Sequence, residues 1–289
     1  MRSLKKLALY STFFCSGYVG AVEVAPGDYT QFADGTTIGL LYYEFSTTHA
    51  LKAQGHTVSH DYNVDSNIGM LRFLHAFKIS EHSTLDPQFL LPFGNVSTRG
   101  NASSAGSASG TGDLILTMPL KIALNDTGDV FAVSPYVYVP TGNYNHNDAL
   151  NLGENRWKFD VQTAYIKFFS DKWAIDTVGD AIWYGNNNKF GSDEMERQQK
   201  MSWAAQVIGR YFATPTLSFG LGVGQTWGGE DVVEGQHQAD QGQTTNVRFT
   251  ATKFVTPHDQ IMVQMGRDLA AQNGPEESFR MNLRYAHIF

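Results

Sequence analysis

The sequence predicts an all-β protein: a twelve-stranded antiparallel up-and-down transmembrane β-barrel with short periplasmic turns and longer extracellular loops. Three observations lead to this prediction. Apolar residues alternate with small or polar ones, which is the period of a strand with two different faces. Short turns alternate with long polar links. The chain is 42% hydrophobic and 13% aromatic but only 17% charged, which excludes disorder, and its mean hydropathy of -0.27 excludes a bundle of membrane helices.

Residues 1–21 are predicted to be a secretory signal peptide. Three basic residues within Met1–Lys6 precede an uncharged stretch, and Val19–Ala21 offers small residues for cleavage. A transmembrane anchor is the alternative, but polar residues and glycines interrupt the stretch. The only cysteine, Cys15, lies here, so we expect a mature chain without disulfides or thiolate metal sites. Cleavage also removes cations from a chain of net charge -7, which disfavours nucleic acid as a partner.

The remaining chain divides into an irregular segment and a barrel. Residues 22–35, with Pro26 and Gly27, are too irregular for a strand and are a candidate plug of the periplasmic mouth. Residues 36–289 form the predicted barrel. Alternation is clearest in 217–227, where large apolar residues occupy one face and serine, glycine and threonine the other. The twelve predicted strands are 36–47, 66–79, 84–94, 111–124, 128–140, 156–169, 172–184, 199–213, 215–228, 242–254, 258–270 and 276–289.

The connections between these strands are of two kinds. Tight turns are predicted at 80–83, 125–128, 170–171, 214–215 and 256–258. Longer links, rich in polar residues, are predicted at 48–65, 95–110, 141–155, 185–198, 229–241 and 271–275. An even number of amphipathic strands with short turns at one end and long loops at the other is typical of outer-membrane barrels. We therefore expect export to the outer membrane of a Gram-negative bacterium.

Aromatic residues favour a bilayer over a soluble sandwich. All five tryptophans, Trp157, Trp173, Trp183, Trp203 and Trp227, fall near predicted strand ends, where aromatic girdles lie. Because lipid offers no hydrogen bonds, the sheet must close, and the terminal Phe289 then has a partner in the first strand. The alternative is a secreted β-sandwich with a tryptophan core. His287 departs from the pattern, since an apolar residue is expected there.

Several motifs carry a resemblance to a known family. They are Glu23–Tyr29 with Gly35 and Leu40–Tyr43, Gly112–Leu114, Pro140–Tyr144, Asn151–Trp157, Gly228–Glu230 and Asn273–Gly274. With these motifs the mature chain resembles the phenol-degradation meta-pathway protein family nearly from end to end. The resemblance implies an outer-membrane barrel, encoded near aromatic or hydrophobic catabolism in some bacteria and treated as a candidate uptake channel. It implies neither a proven substrate nor catalytic residues.

A hydrolase is the enzymatic alternative. Outer-membrane phospholipases are also twelve-stranded and carry a histidine two residues before a Ser-Asn-Gly. Here Val64 stands in the histidine position before Ser66, so the serine has no base. Outer-membrane proteases use acidic and His-Asp pairs at the rim, which His56 and His60 could mimic with Asp61 and Asp65, but polar loop residues are more often simply solvated. We therefore expect no enzyme activity.

No metal or cofactor site is predicted. Asp61 and Asp65 have the spacing of the first half of a calcium loop, but Ser66 replaces its glycine and Arg72 its glutamate. Loose calcium binding in this link stays open beside an ordinary turn cluster. No cofactor is expected.

If the apolar faces meet lipid, the opposite faces line a lumen. The predicted lumen residues are Tyr42, Glu44, Arg72, Gln88, Lys121, Tyr136, Tyr138, Lys158, Asp160, Asp176, Asp180, Gln206, Arg210, Arg248, Gln264, Asp268, Arg280 and Arg284. They could fill and brace a narrow barrel, or they could line a path for solute. Twelve strands enclose more than a filled eight-stranded barrel and less than an open porin.

The sequence therefore favours an outer-membrane channel for passive uptake of small hydrophobic or aromatic compounds. The alternatives are a structural or cell-surface interaction barrel with a plugged lumen and, less favoured, the hydrolase. Expected partners are outer-membrane lipids and lipopolysaccharide, a small-molecule solute, and the barrel-assembly machinery through the C-terminal strand ending at Phe289.

Overall fold

The computed structural model describes residues 23–289 and confirms the predicted fold, a closed antiparallel barrel with twelve wall positions. The strands are β1 (Thr37–Ala53), β2 (His56–Ser59), β3 (Tyr62–His75), β4 (Phe77–Ser80), β5 (Ser83–Leu85), β6 (Gln88–Gly100), β7 (Ser107–Thr111), β8 (Leu114–Thr117), β9 (Leu120–Ala123), β10 (Val130–Val139), β11 (Lys158–Ser170), β12 (Trp173–Tyr184), β13 (Asn187–Phe190), β14 (Met195–Gln199), β15 (Ser202–Thr214), β16 (Leu217–Trp227), β17 (Asp231–Val233), β18 (Gln236–His237), β19 (Gln243–Phe254), β20 (Asp259–Ala271) and β21 (Gly274–Ile288). A single 3₁₀ turn, Ser103–Ala105, interrupts them in this part of the chain. The predicted signal peptide and its cysteine lie outside the described residues. Residues 23–289 contain no helix that is long and apolar enough to cross a membrane.

The wall closes because the last strand pairs with the first. β21 pairs antiparallel with β1 from Ile38 opposite Ile288 to Lys52 opposite Gly274. Three wall positions are built from strand pieces: β3 with β4, β5 with β6, and β7 with β8 and β9. The other positions are single strands that pair with their neighbours in chain order. This pairing closes the wall on itself, which is the condition for a sheet in lipid.

The two ends of the barrel differ. One end, the turn end, carries short turns such as those between β11 and β12 and between β15 and β16. The other end, the loop end, carries long connections, two of which form a separate four-stranded sheet from β13, β14, β17 and β18. We refer to the lumen near each end as the turn half and the loop half.

The predicted loops 48–65 and 95–110 are wrong in extent. Most of 48–65 and part of 95–110 are strand, because β1 extends to Ala53, β3 begins at Tyr62 and β6 continues to Gly100. Thr48 Oγ1 donates to the carbonyl of Tyr62 at 3.1 Å, so the pairing continues at this level. The part of a strand that extends beyond the lipid needs no apolar face, and the polar sequence of that part therefore resembles a loop.

The outer surface carries the lipid-facing belt. The five tryptophans are between 43% and 55% exposed, which excludes the tryptophan core of a soluble sandwich. Large apolar side chains at alternate positions of the wall are exposed with them, including Leu41, Leu71, Phe159, Leu221, Val223 and Leu283. This arrangement is the apolar band with aromatic girdles of a membrane barrel.

His287 lies on this outer face near the turn end, and its polarity is compensated locally. Its Nδ1 lies 2.8 Å from Oδ1 of Asp259, which also accepts a hydrogen bond from the Tyr285 hydroxyl at 2.6 Å. The imidazole also packs edge-on against Phe289 at 4.8 Å. A paired histidine at the rim therefore replaces the expected apolar residue.

Candidate functional site: the lumen and its N-terminal segment

The eighteen predicted lumen residues lie on the buried side of the wall. All are buried or half-buried, whereas alternate positions on the same strands, such as Tyr43, Phe159 and Leu283, are exposed. Because side chains alternate across a strand, this pattern places the eighteen on the inner face. Their surroundings differ along the barrel axis, and the differences define three regions.

The first region is the N-terminal segment, residues 23–35, which crosses the lumen. At the turn end, the amide of Gly35 donates to the carbonyl of Ala76 at 2.9 Å. Further inside, the Tyr29 hydroxyl hydrogen-bonds to Gln162 on β11. On the opposite wall, the Gln206 side-chain amide donates to the carbonyl of Val24 at 3.0 Å. The segment thus spans the interior from the first strands to β15.

Charged side chains hold this segment. Asp28 accepts Arg284 Nη1 at 2.7 Å and Arg72 Nη1 at 3.1 Å, one on each carboxylate oxygen. Glu23 accepts Arg248 Nε at 3.1 Å. Sequence reasoning assigned the arginines to the lumen but missed these acidic partners, because an irregular segment has no alternation from which to assign a face. Two acidic residues ahead of a lumen rich in arginine were the available signal.

The second region is a charged network in the loop half. Arg280 pairs with Glu44, and its Nη2 lies 2.6 Å from Oε2 of Glu277. Glu277 also accepts Arg248 Nη2 at 3.0 Å, while its amide donates to Asp268 at 2.8 Å. Sequence reasoning missed Glu277, because a register irregularity between β1 and β21 at this level turns an odd-numbered residue inward.

The opposite wall of the loop half is also braced by ion pairs. Lys158 lies 3.0 Å from Glu154 and 3.9 Å from the centre of the Tyr138 ring. Arg156 Nη2 lies 2.5 Å from the same Glu154 carboxylate. Further along the inner face, the Gln162 side-chain amide donates to Asp180 on β12 at 2.6 Å. Asp160 lies two residues before Gln162 on the same face of β11.

The motif that resembles the meta-pathway family folds over this wall. Asp113 accepts the amides of Gly142 and Glu154, both at 2.9 Å. A Cβ on Gly142 would lie 2.7 Å from backbone atoms of Gly112 and Gly153, so only glycine allows this contact. Asn143 accepts the amide of Thr111 at 2.7 Å. Asn143 thereby provides hydrogen-bond partners for the backbone of Thr111, the last residue of β7.

The third region is a cavity in the turn half, which we call the vestibule. It measures about 280 Å³ and lies below the N-terminal segment. Its wall is largely apolar, with Phe32, Ile38, Leu40, Leu74, Phe168, Phe212, Leu217, Phe254, Ala286 and Ile288. Arg72, Arg210 and Arg284 also line it. Phe168 and Phe212 stack at 5.8 Å, and the Arg210 guanidinium lies 5.3 Å from each ring centre.

The remaining predicted lumen residues lie around the N-terminal segment. Lys121 lies 2.9 Å from Asp86 and donates to the carbonyl of Thr30 at 3.0 Å. Gln88 accepts Arg72 Nε at 2.6 Å. Other members contact the segment or one another, namely Tyr42 with Arg72, Tyr136 with Tyr29 and Asp176 with Gly27. Gln264 instead donates to Thr250 on the neighbouring strand.

The candidate catalytic and metal residues do not assemble into a site. Across residues 23–289, no histidine hydrogen-bonds to Ser66, and no group of three or more His, Cys, Asp or Glu side chains is placed to hold a metal ion. Asp65 accepts the Thr47 hydroxyl at 2.6 Å and pairs with Arg99. Asp61 accepts the Asn63 side-chain amide at 2.7 Å.

Known proteins resemble this chain in sequence and fold, or in fold alone. The chain is similar to an outer membrane channel from Pseudomonas putida F1, with 54% identity, a TM-score of 0.91, and coverage of 92% of this chain and 100% of that one. The β domain of the Bordetella autotransporter BrkA (7% identity, TM-score 0.56, 89% and 100% covered) shares the fold alone. So does the translocator domain of the autotransporter NalP from Neisseria meningitidis (9% identity, TM-score 0.52, 90% of each chain covered). No curated protein matches the chain.

The closed wall, the lipid-facing belt and the similarity to the Pseudomonas putida channel define an outer-membrane β-barrel of the channel class. A family model described as "Putative MetA-pathway of phenol degradation" matches residues 48–285, and the chain belongs to this family.

Proposed function

We propose that this barrel is a passive channel for small hydrophobic or aromatic compounds. The vestibule carries the proposal, because its wall is largely apolar and its volume of about 280 Å³ suits a single-ring solute. An engineered apolar cavity of about 150 Å³ holds benzene, so the vestibule is large enough for a substituted ring.

The loop half supports the same class of solute. Its inward charges are engaged with one another, as in the pairs of Glu277 with Arg248 and Arg280. Paired charges brace the wall and leave few groups free to replace the hydration shell of an ion. Porins of sixteen to eighteen strands leave an open aqueous channel. Twelve strands with an internal segment favour slow passage of poorly hydrated solutes.

A sealed barrel that serves as a structural or cell-surface interaction protein is the second candidate. The N-terminal segment favours it, because its residues contact opposite walls through Tyr29 and Val24. This candidate predicts that shortening 141–155 abolishes binding to a partner while permeability stays at the background level.

We also propose the partners expected for such a barrel. Its belt fits outer-membrane lipids, the loop end fits lipopolysaccharide, and the exposed terminal Phe289 fits the barrel-assembly machinery.

Reconstitution of the exported protein tests the channel. We expect vesicles that contain it to take up a panel of neutral aromatic compounds faster than protein-free vesicles, and planar bilayers to show a small conductance. Deletion of residues 23–30 is the companion variant, and it should raise the conductance because it removes the segment from the lumen. A wild-type barrel that gives neither uptake nor conductance would contradict the channel and favour the sealed barrel.

A further inference from the structure

We propose that the vestibule is a binding site for aromatic or short-chain carboxylates, which place their anionic group beside Arg72 and Arg284. This inference rests on the proposed function and adds to it the charge of the preferred solute.

The charge balance around the vestibule is the first observation. Arg210 is neutralised by Asp176, whose Oδ1 lies 2.9 Å from its Nε and 2.8 Å from its Nη2. Asp28 alone serves both Arg72 and Arg284, at 3.1 and 2.7 Å. Their other partners are neutral, namely Gln88 and Tyr42 for Arg72 and Gln260 for Arg284. Among the described residues that pair with these three arginines there are two carboxylates, so one positive charge has no counter-charge.

The surroundings make this charge significant. Arg284 is only 6% exposed, and its Nε has no acceptor within residues 23–289. A buried cation without a full counter-charge is unfavourable, and an anion that enters beside it relieves the imbalance. A guanidinium matches the geometry of a carboxylate, and each such charged hydrogen bond is stronger than a neutral one.

The apolar wall supplies the second half of the recognition. Ile38, Leu40, Leu74 and Phe254 line the same cavity as the arginines, so a ring can leave water while its carboxylate stays paired. A neutral aromatic compound gains only the apolar contact. An aromatic ammonium compound meets the unmatched charge and is repelled.

Binding of two matched probes to the barrel in zwitterionic nanodiscs tests the inference. We expect 4-fluorobenzoate, followed by ¹⁹F NMR, to bind about tenfold more tightly than 4-fluorobenzyl alcohol, as one unit charge at close range predicts. Equal affinities would overturn the proposed carboxylate preference.

Two variants separate charge from structure, because both break the same Asp28–Arg284 pair. Arg284→Gln removes the unmatched charge and should weaken 4-fluorobenzoate binding about tenfold. Asp28→Asn adds a second unmatched charge and should strengthen it. Binding of the alcohol should change less than about twofold in both variants. Changes of benzoate affinity in the same direction would overturn the proposal.

Uptake of the same probes into vesicles keeps this inference distinct from the proposed function. Binding without charge preference, together with uptake of both probes, overturns the carboxylate site and leaves the channel intact. Preferential benzoate binding without uptake of either probe supports the site and contradicts the channel.

Discussion

The loop half and the turn half of the lumen follow the same strand alternation but contain different chemistry. In the loop half, Glu277 pairs with the guanidinium groups of Arg248 and Arg280, and its backbone amide donates to Asp268. Glu23 of the N-terminal segment adds a carboxylate to Arg248, and Glu44 on β1 adds one to Arg280. In the turn half, the inward positions are mostly apolar and the arginines exceed the carboxylates. From this comparison we propose that the loop half stabilises the barrel, while the turn half provides affinity for solute.

The largest effect is expected from Glu277→Gln in the loop half. The substitution removes the negative charge that Arg248 and Arg280 share in a buried network. Loss of one charged partner in such a network costs about 3–5 kcal/mol of folding free energy. Urea unfolding of the reconstituted barrel measures the loss. Glu276→Gln is the matched control, since Glu276 forms a rim pair with Lys52 and should cost at most about 1 kcal/mol. Equal losses in the two variants would contradict a stabilising role for the network.

Gly142→Ala tests the motif that covers the loop half. The new Cβ would meet the backbone of Gly112 and Gly153 at 2.7 Å, and we expect a cost of about 1–3 kcal/mol. Faster proteolysis within 140–157 is the readout. Gly209→Ala, whose Cβ would have no neighbour closer than 4.0 Å, should leave the segment protected.

Phe254→Ala tests the turn half. Phe254 is half-buried in the vestibule wall, so its truncation should weaken binding of an aromatic probe by about 1 kcal/mol. The free energy of unfolding should change less than in the Glu277 variant. Phe249→Ala on the same strand is the control, because Phe249 is exposed on the lipid side and should leave probe binding unchanged. If the Phe249 variant weakened binding equally, the vestibule would not be the binding site.

The smallest effect concerns the sheet at the loop end. A hydrogen bond from Lys200, and to a smaller extent one from His237, lowers the pKa of Glu230 from 4.5 to about 2. A lowered folded-state pKa means that the carboxylate stabilises the sheet above pH 4.5 and that this contribution is lost as the pH falls toward about 2. Pepsin cleavage within 228–241 should therefore increase as the pH falls from 4.5 to about 2. Glu230→Gln should remove the pH dependence, and an unchanged dependence in this variant would contradict the assignment.

Much of the fold follows from the sequence because a membrane barrel repeats one simple pattern. Alternation assigns a face to Arg72, Lys158 and Arg284, and the tight turns separate the strands. Residues outside regular strands escape this reasoning: Asp28 lies in an irregular segment, and Glu154 in a predicted link. Glu277 escapes it because the register shifts beside it.

Alternation shows which face of a strand a residue occupies, but it does not show the height of that residue along the barrel axis. Leu40 and Glu44 lie on the same face of β1, yet one lines the vestibule and the other belongs to the charged network. Only the pairing between strands, which sets the level of each residue, separates the two regions.

A reversible lock on the N-terminal segment tests the proposed channel most directly. A Cβ on Gly220 would lie 3.4 Å from Cβ of Pro26, which is close to disulfide geometry, and the mature chain is expected to contain no cysteine of its own. Vesicles with the Pro26→Cys, Gly220→Cys double variant should lose aromatic uptake on oxidation and regain it on reduction. Each single variant should respond to neither treatment. Uptake that continues at the wild-type rate in the oxidised double variant would contradict passage through a lumen controlled by this segment.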